Sequence, residues 1–139
     1  MLRSDILAKF AELGILPTPQ RVEIADIFLE KPQHLSAEQV IERLRELGSR
    51  VSKATVYNTL NLFTERGLVR ECVVDPERRF YDSRTSPHHH FYNMDTGELT
   101  DVPADSIRFD ALPVIPADSH LESIEVVIKV RRDSSEKLT

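Results

Sequence analysis

The residues of this chain best suited to chemistry lie in Asp82-Ser83-Arg84-Thr85-Ser86-Pro87-His88-His89-His90, followed by Asp101 and preceded far upstream by an isolated His34. Imidazole nitrogens and carboxylate oxygens are the donors that first-row divalent cations of hard to borderline character accept. Four of the five histidines, with Asp82 and Asp101, therefore fit one divalent-metal site. His88 and His90 alternate along an extended segment, so both side chains leave one face while His89 leaves the other. That spacing supplies two neighbouring ligands, and Asp82 and Asp101 are the sequence-near candidates for the others. A lone histidine such as His34 ordinarily caps a helix or faces solvent, and only tertiary folding could deliver it to the cluster. The competing reading of His88-His89-His90 is a solvated polar strand. His120, in a proline-rich stretch, reads as a surface residue, and Cys72, in an alternating strand, as a small core residue.

The rest of the composition narrows the setting. A chain of 139 residues makes one ordinary domain or two small ones, and two small ones would gain from pairing with a second copy. Cys72 is the only cysteine, so no internal disulfide can form. No basic segment followed by an apolar stretch opens the chain, and no apolar run approaches the roughly 20 residues of a membrane span. These features predict a cytoplasmic protein with no membrane partner. The net charge of −5 argues at first sight against nucleic acid. Residues 1–82, however, hold 12 basic against 13 acidic side chains, whereas residues 83–139 hold 6 against 10. The acidic excess is thus concentrated in the C-terminal part, which leaves the N-terminal part free to present a local basic face.

The elements that must position these groups follow from periodicity. Ile6, Leu7, Phe10 and Leu13 recur at helical spacing after Ser4-Asp5 and stop at Gly14. Thr18 caps a second helix, Pro19 to Leu29. Ser36 and Gln39 form a capping box ahead of Val40, Ile41, Leu44 and Leu47, and Gly48 ends that third helix. Ser52 opens a fourth, with Val56, Leu60 and Phe63 on its inner face and Gly67 beyond its end. Leu68 to Val74 and Arg79 to Asp82 then read as two strands about a turn at Asp75-Pro76-Glu77-Arg78. Helices followed by a hairpin wing make the winged helix-turn-helix, with the fourth helix as the recognition helix.

Beyond Asp82, His88 to Met94 and Glu98 to Val102 are predicted strands about the turn Asp95-Thr96-Gly97. Pro103, Pro113 and Pro116 make 103–119 mostly loop, with a short helix around Asp105 to Phe109. Ser123 to Arg131 is a β-branched run and reads as a third strand. The fold class is α+β: an N-terminal winged helix-turn-helix domain, 1–82, and a small C-terminal α/β domain with a three-stranded sheet, 83–139. Three strands without a thick helical cover leave apolar surface, which a second copy can bury.

The recognition helix presents Lys53, Thr55, Tyr57, Asn58 and Asn61 outward. Such groups can donate to phosphates and base edges, and a tyrosine ring can meet thymine methyls. Arg21 and the wing pair Arg78-Arg79 add backbone contacts. An amphipathic helix with a merely solvated polar face is the alternative.

These residues also carry a resemblance. Gly14-x-x-x-Thr18-x-Gln20-Arg21, His34-Leu35-Ser36-Ala37-Glu38, Ala54-Thr55-Val56-Tyr57-Asn58-Thr59-Leu60 and the Asp82-x5-His88-x-His90 run occur in an order that resembles the ferric uptake regulator family over nearly the whole chain. The resemblance implies a DNA-binding winged-helix domain, a C-terminal domain for dimerisation and metal sensing, and a homodimer that regulates promoters by occupying a double-stranded DNA operator. It also implies one regulatory divalent metal per protomer, Fe2+, Mn2+ or Zn2+, lying between the domains and held by His34, Asp82, His88, His90 and Asp101. Gln20, Arg21, Lys53, Thr55, Tyr57 and Asn58 become the implied DNA contacts.

Ser86-Pro87-His88-His89-His90-Phe91-Tyr92, Asp95-Thr96-Gly97-Glu98 and Asp101-Val102-Pro103-Ala104-Asp105 are most similar to the iron response and peroxide regulator branches, which implies a repressor in iron homeostasis or peroxide stress and admits haem as an input at His88 to His90. Three departures stand out. Asn93 and Thr96 replace a C-x-x-C pair, so no structural zinc site built on four cysteines can form. Leu16 stands where Lys or Arg is usual, and Arg108 where a second site places an acid. A non-haem metalloenzyme built on the same His/Asp cluster, and a winged-helix protein that binds DNA or protein without metal, are the rival functions. The first leaves the helical half without a purpose and shows no evident general base.

Overall fold

The computed structural model describes residues 2–133. It divides into two compact units, the first ending at Thr85 and the second beginning at Ser86. In the first lie α1 (Arg3–Leu13), α2 (Pro19–Leu29), β1 (His34–Leu35), α3 (Ala37–Glu46), α4 (Lys53–Arg66), β2 (Arg70–Asp75) and β3 (Arg78–Asp82). In the second lie β4 (His89–Asn93), β5 (Leu99–Val102), a single 3-10 turn (Ala104–Ser106) and β6 (Val127–Val130). Helices gathered in one unit and small sheets in both make this an α+β protein, as the periodicity predicts.

Side-chain caps fix where the helices start. Thr18 accepts from the Arg21 N–H with Pro19 at the first helical position. Ser36 and Gln39 form the reciprocal capping box at 3.2 and 2.9 Å, and Ser52 accepts from the Thr55 N–H at 3.1 Å. Gly14 and Gly67 close α1 and α4 in the left-handed region, at φ of 72° and 81°, where a side chain would be strained. Ser4-Asp5 does not cap α1: the helix begins at Arg3 after an extended Leu2 that makes no side-chain bond, and Asp5 sits in the first turn, where the helix dipole favours its charge. Ile6 and Phe10 of α1, Ile24 and Phe28 of α2, Val40 and Leu44 of α3, and Val56, Leu60 and Phe63 of α4 fill one core. Burying the Val56-Leu60-Phe63 stripe turns Lys53, Tyr57 and Asn58 to the surface.

The wing is a three-stranded antiparallel sheet, not a hairpin alone. β3 pairs with β2 on one side and with β1 on the other. A two-residue strand carries no periodicity, so His34–Leu35 is invisible to a pattern search. Cys72 is buried opposite Phe80 and is not in a disulfide.

In the second unit the strand order is β5-β4-β6, with β4 antiparallel to β5 and parallel to β6. A parallel pair needs a long crossover, and residues 103–126 provide it almost without helix. The short helix predicted at Asp105 to Phe109 is absent. A 3-10 turn stands slightly earlier, closed by the Ser106 N–H on the Pro103 carbonyl at 3.0 Å. Prolines 103, 113 and 116 cannot donate to a helical ladder, which limits this segment to such turns. The third strand is shorter than Ser123 to Arg131, because the Val126 N–H goes to the His89 side chain. Among the described residues no helix is long and apolar enough to cross a membrane.

The β4–β5 turn is held by side-chain hydrogen bonds. Asn93 Oδ1 accepts from the Asp95 and Thr96 N–H groups at 2.9 and 3.0 Å, and Thr96 Oγ1 from the Glu98 N–H at 3.2 Å. These are the two positions at which the resembling family places C-x-x-C. Asn93→Ala is expected to destabilise the protein by about 1 kcal/mol, the net worth of such bonds, read as a lower urea midpoint at unchanged slope.

Candidate metal centre and nucleic-acid interface

Each unit sets a histidine directly across a strand pair from an aspartate. In the wing, His34 of β1 lies opposite Asp82 of β3. Hydrogen bonds on either side pin that register. The Ser83 N–H donates to the Gln33 carbonyl at 3.0 Å, and the Gln33 N–H donates to Ser83 Oγ at 3.0 Å. The Arg43 guanidinium, from α3, donates to Gln33 Oε1 at 2.7 Å. Asp82 is buried, and its Oδ1 accepts from the Arg84 N–H at 2.8 Å. A strand too short to hold its own position is thus held by its flanks.

In the second unit, His90 of β4 lies opposite Asp101 of β5. The Nε2 atoms of His88 and His90 approach the same Asp101 Oδ1, at 3.0 and 3.4 Å. Their rings sit 4.4 Å apart, and the imidazoles are only 5 % and 2 % exposed. The alternation expected of His88 and His90 therefore places both on one face. His89 turns the other way, accepting the Val126 N–H on Nδ1 at 2.9 Å and setting its ring edge-on to Phe109.

The hydrogen-bond pattern limits what this cluster could hold. His88 Nδ1 lies 2.8 Å from the Ser86 carbonyl oxygen, which can only accept, so Nδ1 carries the hydrogen. In neutral His88 the Nε2 lone pair then faces a carboxylate oxygen. Two acceptors 3.0 Å apart need a positive centre, a proton or a cation, to make the contact favourable. Two imidazole nitrogens and a carboxylate oxygen within 4.8 Å of one another fit a borderline divalent ion. The Ser86 carbonyl fixes the tautomer of His88 in the way an outer partner orients a ligating histidine in a metal site.

The expected DNA contacts all belong to the first unit. Lys53, Tyr57 and Asn58 are exposed on α4, and Gln20 is exposed in the first turn of α2. Thr55 is only half exposed, and its hydroxyl accepts from Ser52 Oγ at 2.9 Å. Arg21 is half-buried, with its guanidinium donating to the Leu16 carbonyl at 2.7 Å. The Tyr57 hydroxyl donates to Glu38 Oε1 at 2.6 Å. That bond, reinforced by partial burial and by the Glu38 charge, raises the phenol above its ordinary range. Leu16 is 77 % exposed.

The sequence model of the ferric uptake regulator family matches residues 12–131. The chain belongs to the ferric uptake regulator family. It is 32% identical over 108 residues to the ferric uptake regulation protein of Synechococcus elongatus, covering 75% of this chain and 74% of the relative. It is 32% identical over 97 residues to the peroxide operon regulator of Bacillus subtilis, covering 70% and 67%. In fold it resembles the ferric uptake regulator of Francisella tularensis solved with iron, at a TM-score of 0.71 and 24% identity over 88% of this chain and 96% of that one. Members of this family are metal-responsive, DNA-binding transcription regulators that act as dimers, and they are not enzymes. The metalloenzyme reading of the His/Asp cluster is accordingly set aside.

Several residues have partners that their place in the sequence motifs does not reveal. Glu38 reads only as a first-turn acid of α3, yet it holds Tyr57 of α4. Gln33 and Ser83 flank the wing pair across 50 positions of sequence. Ser86 acts through its backbone, which no side-chain motif records. The structure predicts that His90→Ala or Asp101→Asn lowers Mn2+ affinity by more than the ~10–100-fold that loss of an outer partner costs, in competition titration against a fluorescent chelator.

Proposed function

We propose that this chain is a homodimeric repressor of iron-homeostasis or peroxide-response promoters. It acts in the cytoplasm on a double-stranded DNA operator, according to the occupancy of one divalent metal ion per protomer. His88, His90 and Asp101 form the ligand core, and His34 and Asp82 complete the set. The observation that carries this reading is the convergence of two buried imidazole nitrogens on one Asp101 oxygen. Nitrogen and oxygen donors without thiolate favour Fe2+, Mn2+ or Zn2+ at higher coordination over a closed thiolate zinc site. The ion, when bound, would supply positive charge to the imidazole nitrogens and the carboxylate oxygen that converge there. The Francisella relative solved with iron supports a metal of this class.

The chain's own residues determine what that charge can control. Arg43 of α3 grips Gln33, next to ligand His34, and Glu38 of the same helix grips Tyr57 on the recognition helix. The helix that supports the wing ligands is therefore also the one that supports the reading surface. Gln20, Arg21, Lys53, Thr55, Tyr57 and Asn58 constitute that surface, with Lys53 and Arg21 facing phosphates and Tyr57 and Asn58 facing bases. Arg21 must release the Leu16 carbonyl to reach a phosphate.

A 30-bp duplex selected from a random pool by the Mn2+-loaded protein provides the probe. Gel shifts are expected to show binding that responds to chelation, and a response lost in the His88→Ala, His90→Ala double variant. Identical binding with and without metal refutes the sensor reading. Lys53→Ala is expected to flatten the plot of log affinity against log salt by about 1, the signature of one lost phosphate contact.

A further inference from the structure

We propose that Glu38 is a specificity-determining positioning residue, which makes Tyr57 a reader of thymine methyl groups by taking the phenol's only proton. This deepens the proposed function, since it rests on Tyr57 facing DNA. Tyr57 is 41% exposed, and its hydroxyl donates to Glu38 Oε1 at 2.6 Å across the gap between two helices. Both side chains are exposed, on helices whose inner faces are buried. Glu38 lies in the first turn of α3 beside the Ser36–Gln39 capping box, and Tyr57 follows buried Val56 on α4.

A phenol has one hydrogen to give. Phosphate oxygens, thymine O4 and guanine O6 and N7 only accept. With its hydrogen committed to Glu38, Tyr57 cannot satisfy any of them, and no sequence-independent bond to the backbone remains open to it. What it can still offer is its ring, to a thymine methyl, and an oxygen lone pair, to an amino group. The Glu38 carboxylate next to the hydroxyl adds a repulsion toward phosphates that penalises misplaced approach. An acidic side chain beside a DNA-reading tyrosine thus gives up some affinity for any DNA in exchange for discrimination.

The probe is the selected 30-bp duplex with single thymines replaced by deoxyuracil, which removes only the methyl group, and a random-sequence duplex of equal length, both with Mn2+-loaded full chain. Wild type is expected to lose about fourfold affinity at one thymine per half-site, the worth of one buried methyl. In Glu38→Ala that thymine-to-uracil ratio is expected to fall toward unity, whereas Tyr57→Phe, which keeps the ring and has no hydrogen to give, is expected to keep it. Binding of random duplex by Glu38→Ala should rise about two- to fivefold, the scale of one exposed charge interaction. Glu38→Gln keeps an acceptor for the phenol and is expected to restore the ratio. A Glu38→Ala protein with the wild-type ratio overturns the proposal, as does a Glu38→Gln protein that behaves like Glu38→Ala. Tyr57→Ala separates the underlying reading: if it too keeps the wild-type ratio, Tyr57 is not the reader and the assignment of the DNA face fails instead.

Discussion

Antiparallel register is the constraint on which the rest of this molecule depends. Residues directly opposite in such a ladder bring their side chains within reach of one another. Twice this chain uses that rule to set an imidazole across from a carboxylate: His34 against Asp82, and His90 against Asp101. A slip of one residue in either pairing would turn the whole partner strand to the wrong face. The ladders are therefore held from outside, by Ser83 and Gln33 around the first pair and by the Asn93 turn and the Val126 bond around β4. These bonds involve few residues, yet they determine whether the donors meet.

The cluster concentrates nitrogen and oxygen donors around one point. The Nε2 atoms of His88 and His90 both approach Asp101 Oδ1, an arrangement that an added positive charge strengthens. Ser86 sharpens this by taking the hydrogen of His88 Nδ1, which leaves Nε2 to face the carboxylate. A sensor benefits from this arrangement. A ligand shifts an equilibrium only by its differential affinity for the two states, so donors already gathered in one place let an ion favour the state that gathers them.

The helical half was legible because its signals are local. Thr18-Pro19, the Ser36–Gln39 box and Ser52 each act within three or four residues, and the 3.6-residue stripe of Val56, Leu60 and Phe63 needs no tertiary context to be seen. The alternation of His88 and His90 was legible for the same reason. What the sequence concealed is non-local or backbone-borne. β1 is too short to show a period and exists because β3 offers it a partner. The crossover before β6 carries three prolines and keeps only a 3-10 turn where a helix was predicted, since prolines without N–H groups cannot extend one. Glu38 and Gln33 looked like ordinary polar residues of a helix start and a loop. Their roles are defined by partners 19 and 50 residues away.

Charge imposes the remaining constraint. A net charge of −5 suits a DNA-binding protein poorly if affinity is the only measure, because phosphate neutralisation supplies most sequence-independent binding. The distribution changes the measure. The surface proposed to read DNA has few cations, Lys53 and Arg21 among them, and its Tyr57 is tied to Glu38. Leu16 is exposed in the loop ahead of the α2 cap and contributes no charge there. Each of these features lowers the electrostatic background that all DNA shares and leaves a larger fraction of the binding free energy to base contacts. For a regulator whose occupancy must follow a small ion, weak background binding is useful. A protein held on any duplex by charge alone would respond little to the modest coupling that one metal site can supply.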